Sequence, residues 1–386
     1  MSYTQDCTLS TDLMKEIMAH GLDIMPEMIR IVINQAMQLE RQAYLKADPY
    51  ERTAERRDYA NGFKPKTVVT RLGDITFEVP QVRGGGFYPQ ALDKGLRSER
   101  AFKLALAEMY VQGVSTRKVA AITETLCGVA VSSSQVSQAA AELDKQLTAW
   151  RNRPLGHYRY LYLDARYEKV RQDGQVRDAA VLVAVGVDDT GKREVLGVSV
   201  ALSEQEVHWR AFLQSLTQRG LHGLELIISD AHAGLQQARR AVFGSTPWQR
   251  CQFHLQQNAQ AYVPRKDLQS DVAADIRAVF NAPNRAEADR LLKLTVERYS
   301  PVAAKLATWL EENLPQGLTV FSFPAQQRRR LRTTNGVERL NREIRRRTRV
   351  VSIFPDEAAC LRLVTAILME TSEEWLTGPA YLAGEP

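Results

Sequence analysis

Cysteine is scarce and dispersed in this 386-residue chain. Its four cysteines, Cys7, Cys127, Cys251 and Cys360, form no C-x-x-C pair. That spacing argues against a disulfide framework or a zinc finger and fits a reducing cytoplasm. Long apolar runs are missing too. The longest, residues 179–187, is too short to span a bilayer, so no membrane association is expected. The N-terminus shows no basic-then-apolar leader pattern. A phosphate-cradling G-x-x-x-x-G-K-[ST] loop is absent. Gly84-Gly85-Gly86 follows a strand without that spacing and reads as a flexible turn, so no nucleotide cofactor is expected. The net charge of +6 falls well short of a histone-like surplus. Where the charges sit therefore says more about partners than their total.

The positive charge is concentrated around Thr333–Pro355. Arg328, Arg329, Arg330, Arg332, Arg339, Arg342, Arg345, Arg346, Arg347 and Arg349 crowd one helical stretch. Asn335 or Thr334 can cap that helix, and Val337, Leu340 and Ile344 recur at helical spacing to bury one side. Glu338 lies in the first turn, where the helix dipole favours an anion. A carboxylate inside a guanidinium cloud suits a protein that holds phosphates and needs one metal ligand among them. An ordinary solvated helix with i,i+4 ion pairs, such as Glu338 with Arg342, accounts for this stretch equally well on its own.

The length allows roughly two or three domains. Residues 1–97 read as N-terminal helices followed by a β-hairpin. The helices span residues 9–47, with Met14, Ile17 and Met18 on one face. Residues 48–64 read as a polar loop, and the hairpin runs from Lys66 to Arg83 around Gly73-Asp74. Residues 98–150 read as a helix-turn-helix region: a helix from Glu99 to Gln112, a second from Thr116 to Leu126 broken by Gly128, and a third from Gln135 to Leu147 capped by the serines before it. Ser133, Ser134, Gln135 and Gln138 stand near the N-terminus of that third helix, where recognition helices touch base edges.

From residue 157 the texture changes to β-branched and aromatic runs. Three strands separated by turns form a meander, and an amphipathic helix then leads to the apolar strand Leu224–Ser229. The order is β-β-β-α-β-α-β. A helical crossover allows the fourth strand to lie parallel beside the first. Asp164, read as ending the first strand, and Asp230, ending the fourth, would then share one sheet edge. Taken separately, Asp164 is an ordinary strand-end turn residue and Asp230 an ordinary helix cap. Together they repel unless a cation neutralises them, and hard oxygen ligands suit Mg²⁺, with Mn²⁺ as an alternative. A third carboxylate from a helix would complete a site for two ions, suited to in-line displacement at phosphorus. Glu343 is the rival to Glu338 for that role, but lies about 140° further round the helix. The expected fold is α/β. A mixed-sheet catalytic domain is assigned to residues 151–260 and 328–386. An all-helical insertion, residues 261–327, presents Val272, Ile276, Val279 and Phe280 on one face and Leu291, Leu294 and Tyr299 on another.

Several stretches, taken together and in order, resemble the Mutator-type transposases of bacterial insertion sequences. They include YVQGVSTRKVA, YLYLDARYEKVR, LIISDAHAGL, WQRCQFHLQQN and NGVERLNREIRRRTRVVSIFP. The resemblance implies a ribonuclease-H-like catalytic domain with an acidic triad. Asp164 in LDARYEKVR, Asp230 in SDAHAGL and Glu338 in NGVERLN fall on its positions, with a C-x-x-H signature at Cys251 and His254. It also implies a replicative route through a circular intermediate and at least a dimer bridging two DNA ends. Cys251 and His254 could bind zinc, but a structural zinc needs four ligands. A core cysteine with a histidine supporting the carboxylates fits better. His232 would orient Asp230 or contact a phosphate, and Asn341 is grouped with these supporting residues.

The chemistry that follows is metal-dependent hydrolysis at the element's 3′ ends and then strand transfer by transesterification, with no Ser or Tyr nucleophile. Arg166, Lys169, Arg342, Arg345 and Arg346 are the expected phosphate contacts, so binding should be salt-sensitive. The DNA partners would be the terminal inverted repeats and target DNA, in the cytoplasm at the nucleoid. Two other classes share these features. A catalytically silent DNA-binding protein would keep the helix-turn-helix and the arginines, and a nuclease of similar fold would cut without joining.

Overall fold

The computed structural model describes residues 11–48, 51–92, 100–127, 129–141 and 143–382. Cys7, Glu99 and Gly128 lie outside them. The chain divides into two compact units, Met1–Tyr110 with Val114–Ala141, and Val111–Gly113 with Glu142–Pro386.

In the first unit, α1 (Thr11–His20) and α2 (Met25–Leu45) precede a hairpin of β1 (Ala60–Thr70) and β2 (Gly73–Val82). Met37 of α2 is fully buried with Val68, Ile75, Phe77 and Val79. The hairpin is longer than its sequence pattern predicts. Residues 60–64, expected to be loop, pair up to Val82, but they are exposed on both faces and so lack the apolar alternation that marks a strand. Next come α3 (Arg100–Val111), α4 (Thr116–Cys127) and α5 (Ser133–Ala141), packed around Phe102, Leu106, Val119 and Val136. Ser115 Oγ caps α4 by accepting from Lys118 N at 3.3 Å. Ser132 and Gln135 form a reciprocal capping box at the start of α5. The third helix, expected to reach Leu147, is interrupted. A separate helix, α6 (Asp144–Arg151), follows, and the break falls where the chain passes from the first unit to the second.

The second unit is built on a mixed five-stranded sheet. Its strands are β3 (Tyr160–Gln172), β4 (Gln175–Val187), β5 (Arg193–Ala201), β6 (Leu226–Ser229) and β7 (Trp248–Arg250), in the order β5-β4-β3-β6-β7. The meander is antiparallel, and β6 and β7 join it in parallel. Between β5 and β7 lie α7 (Glu206–Gln218) and α8 (Ala233–Phe243). Trp209, Phe212, Leu213 and Leu216 of α7 and Leu235 of α8 bury Leu161 and Leu163 on one face of the sheet. Because strand side chains alternate, Tyr160, Tyr162 and Asp164 project to the opposite face. There Tyr160 Oη donates to Gln327 Oε1 at 2.7 Å and Tyr162 Oη to Arg330 O at 3.1 Å. Both acceptors belong to α13 (Ala325–Leu331), which leads into α14 (Asn335–Thr348) and α15 (Glu357–Thr377).

Between β7 and α13 run α9 (Gln252–Gln260), α10 (Gln269–Phe280), α11 (Arg285–Tyr299) and α12 (Ala304–Asn313), with short 3-10 turns. Val272, Ile276, Val279 and Phe280 of α10 are buried as expected. The buried face of α11 is displaced by one residue from the expected one. Ala288, Leu292, Thr295 and Tyr299 point inward, whereas Leu294 is 47% exposed. No helix among the described residues is long and apolar enough to cross a membrane.

One expectation is corrected here. Asp164 does not end its strand, since β3 continues to Gln172 paired with β4; it is the parallel partner β6 that stops short of it. The segment after α15 is pinned as far as Leu382. Tyr381 N and Leu382 N both donate to Gly191 O, at 2.7 and 3.1 Å, and Leu382 is buried.

One glycine sets the entry to α8. A Cβ on Gly234 would lie 2.3 Å from Glu204 O and 2.8 Å from Glu206 N. These are backbone atoms with little room to yield. Gly234→Ala is therefore expected to cost about 1–3 kcal/mol of stability, read as a lower urea midpoint with an unchanged m-value.

Candidate active site on the sheet face under helix α14

The site begins with strand register. Tyr160, Leu161 and Tyr162 pair in parallel with Leu226, Ile227 and Ile228. The same register carried on two residues sets Asp164 opposite Asp230. Asp230 is oriented by an N–H from the chain just after it, as His232 N donates to its Oδ1 at 3.2 Å. The imidazole of His232 turns elsewhere, with Nδ1 3.7 Å from Glu204 Oε2. Asp164 is held from across the sheet face, where Asn341 Nδ2 of α14 donates to its Oδ2 at 2.7 Å. Glu338, one turn earlier on α14, points inward. Its Oε1 is buried without a hydrogen-bond partner, and no ion pair joins it to Arg342 among the described residues.

Burial, the Asp230 carboxylate and, more weakly, Glu338 drive the Asp164 carboxyl up to about 7, against the opposing pull of His254. His254 is pushed up to about 9, first by the Cys251 side chain and then, against burial, by Asp164 and Asp230. These neighbours favour its charged form beside Asp164 and Asp230. Cys251 is fully buried, and its Sγ accepts from both Thr334 N and Thr334 Oγ1 at 3.4 Å. Burial alone would raise its thiol pKa, but His254 and Thr334 bring it below the ordinary value. Ligand atoms of Cys251, His254 and Glu338 all lie within 4.8 Å of one another. That trio is one ligand short of a closed structural zinc site.

Thr334 stands at the N-cap of α14 but makes no side-chain cap; its hydroxyl turns to Cys251. Neither Thr334 nor Asn335 performs the capping expected of them. Glu343, the rival third acid, is engaged elsewhere. It pairs with Arg346 at 2.6 Å and Arg347 at 2.7 Å, which hold its carboxyl down at about 2, Arg346 most strongly.

The five expected phosphate contacts line one groove of ≈ 840 Å³ beside this cluster, together with Arg349. Three of them are paired within the protein: Arg166 with Glu168 at 2.7 Å, Lys169 with Asp178 at 2.7 Å, and Arg346 with Glu343. Arg342, Arg345 and Arg349 have no ion-pair partner among the described residues. Arg349 belongs to the arginine run without a distinguishing motif, and Glu204, beside His232, carries none either. In the first unit, Ser133, Ser134, Gln135 and Gln138 are exposed on α5, with Gln135 Oε1 committed to the capping box.

The model of the family described as "Transposase, Mutator family" matches residues 1–378. The chain is 59% identical over 372 residues to the transposase for insertion sequence element IS406 of Burkholderia multivorans, covering 96% of each. It is 43% identical over 383 residues to the transposase for element ISRM5 of Rhizobium meliloti, covering 99% of this chain and 96% of the relative. It is 35% identical over 379 residues to the transposase for element IS256 in transposon Tn4001 of Staphylococcus aureus, covering 96% of each. Among solved structures, a simian T-cell lymphotropic virus intasome in complex with PP2A regulatory subunit B56 gamma matches 51% of this chain and 67% of its own. The identity is 14% and the TM-score 0.18, an overlap too small to bear on the fold. The sequence matches over nearly the full length make this chain a transposase. It belongs to the Mutator family.

The raised Asp164 carboxyl has a measurable consequence. In metal-free protein its ionisation opposes folding, so stability is lost as pH climbs from about 4 to about 7 and the loss is complete above that. Asp164→Asn cannot ionise. In EDTA at pH 8 it should be more stable than the wild type by about 2–4 kcal/mol, with the gap closing near pH 4; urea titrations at both pH values measure it.

Proposed function

We propose that this transposase cleaves and joins DNA at the Asp164–Asp230–Glu338 cluster, on a ribonuclease-H-like sheet. The observation that carries the proposal is the electrostatic coupling of the Asp164 carboxyl to Asp230 and, more weakly, to Glu338, with one buried Glu338 oxygen left unpartnered. Strand order supports the fold assignment: a three-stranded antiparallel meander extended by two parallel strands, with helices between them. The donors fit hard divalent cations, since all three first choices are carboxylate oxygens and their mutual repulsion is what a cation relieves. Asp164, Asp230 and Glu338 would hold two Mg²⁺, or Mn²⁺ in their place. Bound there, the ions supply activation of the attacking oxygen and stabilisation of the leaving one.

The chain's own groups do the positioning. Asn341 fixes the Asp164 carboxylate, the His232 N–H fixes that of Asp230, and His254, its charged form favoured there, tempers the charge of the cluster. In the reaction proposed, water attacks the phosphodiester at the element's 3′ end and the P–O bond opens to a 3′-OH. That hydroxyl then attacks a phosphodiester of target DNA, displacing its 3′ oxygen. No side-chain nucleophile takes part. Arg342, Arg345 and Arg349, the unpaired arginines of the groove, would neutralise DNA phosphates nearby, and the exposed face of α5 would read the terminal repeats. Joining two ends calls for a homodimer or a larger assembly on DNA.

Two experiments test this. The first incubates the protein with DNA carrying the gene's own flanking ends, with Mg²⁺ and with EDTA. Metal-dependent cleaved and joined products are expected, falling at least about 1,000-fold in Asp230→Asn. Cleavage without joining would identify a nuclease, and tight binding without cleavage a silent DNA-binding protein. The second follows binding against salt. Arg342→Gln with Arg345→Gln should lower the slope of log K against log salt by about 1–2, as expected when one or two phosphate contacts are lost.

A further inference from the structure

A second group of arginines takes no part in the chemistry above. Arg193 at the start of β5, Arg329 and Arg330 on α13 and Arg339 on α14 line a cavity of ≈ 310 Å³ with Tyr381 and the first turn of α14. None of the four has an ion-pair partner among the described residues. The Arg193 guanidinium packs on two rings, 4.1 Å from the centroid of Trp375 and 4.2 Å from that of Tyr381. Arg330 lies 4.8 Å from the Tyr381 centroid. Burial chiefly, with Arg330 and Arg339, depresses the Arg193 pKa, while Tyr381 and Tyr162 oppose this. Stacking on aromatic faces offsets only part of the repulsion among like charges. Four guanidinium groups thus face one cavity whose lining residues include no carboxylate.

Two further features suit a phosphate. Gly336 opens the wall, since a Cβ there would sit 3.3 Å from both Arg193 Nη1 and Tyr381 Oη. The start of α14 faces the cavity through Asn335 and Gly336. That helix end has no side-chain cap; Val337 N and Glu338 N donate to Thr334 O, which leaves the N–H groups of Asn335 and Gly336 and the positive dipole to face an anion. Tyr381 is not a passing contact, because Gly191 holds its backbone and Lys192 Nζ donates to Leu376 O at 3.0 Å just upstream.

We propose that the Arg193–Arg329–Arg330–Arg339 pocket binds a phosphodiester of DNA, as a second backbone contact separate from the Arg342–Arg345–Arg349 groove and next to the turn that carries Glu338. This rests on the DNA reading above. Guanidinium forks suit phosphate oxygens, and Arg329, Arg330 and Arg339 are exposed enough to reach a strand lying outside the cavity.

The test replaces those three exposed arginines together, Arg329→Gln, Arg330→Gln and Arg339→Gln. A control carries Arg240→Gln, Arg265→Gln and Arg277→Gln, which removes the same charge from exposed positions elsewhere. Both keep Arg193 on its two rings, and circular dichroism confirms folding. Affinity for duplex DNA carrying the gene's flanking ends is measured by fluorescence anisotropy from 50 to 300 mM salt, with and without added inorganic phosphate. The pocket variant should bind at least about tenfold more weakly than the control at about 100 mM salt, with a slope smaller by about 1–2. A pocket variant equal to the control in affinity and slope overturns the proposal. So does a pocket variant whose slope equals the control's while millimolar phosphate weakens DNA binding of the control alone, which would mark a free-phosphate site. Neither result bears on the acidic cluster, whose test is metal-dependent cleavage and Asp230→Asn.

Discussion

Asp164 and Asp230 are brought near each other by the parallel register of β3 and β6, whose last pair, Tyr162 with Ile228, precedes both by two residues. Their repulsion sets the terms for what packs above. Asn341 reaches from α14 to one Asp164 oxygen, His254 has its charged form favoured, and Glu338 adds a third carboxylate whose oxygen finds no donor. Such an arrangement spends folding stability. The protein tolerates that cost because both aspartates sit at the edge of a large apolar core. Trp209, Leu213 and the paired leucines of β3 on the far face anchor the strand whose near face carries the charge.

The Cys251–Thr334 contact links this cluster to the start of α14. A buried thiol accepts two hydrogen bonds from the residue at the N-cap of the helix. One consequence is that the end of β7 and the start of α14 are tied together, so Glu338 approaches with a fixed angle. The helix dipole also stays unscreened on its outer side, among arginines stacked on Trp375 and Tyr381. The same turn thus presents a carboxylate inward and a positive field outward.

Much of this was legible in the chain as written. The β-branched runs and turn dipeptides of residues 157–230 show the meander and the crossover, and the crossover alone argues for two aspartates on one edge. The arginine run marks the groove. Other features had no local signal. Asp164 lies within its strand because β4 is longer than β6, a fact of pairing that β3 does not record. Leu294 is outside because the four-three-four spacing of Ala288, Leu292, Thr295 and Tyr299 fixes the buried face, and Thr295 does not look like a core residue. The break between α5 and α6 follows a boundary between units. The ion pairs that occupy Arg166, Lys169 and Arg346 depend on partners brought in by folding, and Arg193 meets Tyr381 only across the sheet and the end of the last helix.

The bond from Asn341 to Asp164 spans 177 residues, with the whole helical insertion synthesised in between. Loop closure on that scale is slow, and the sheet can form from residues 157–250 before α14 exists. Newly made chains therefore pass through a period in which the two aspartates stand on a sheet face that α13 and α14 have yet to cover. Detachment of α14 in the finished protein recreates that condition at less cost than global unfolding. Completeness of the acidic cluster is in this sense a clock on folding: the core can be mature while the chemistry is not yet armed.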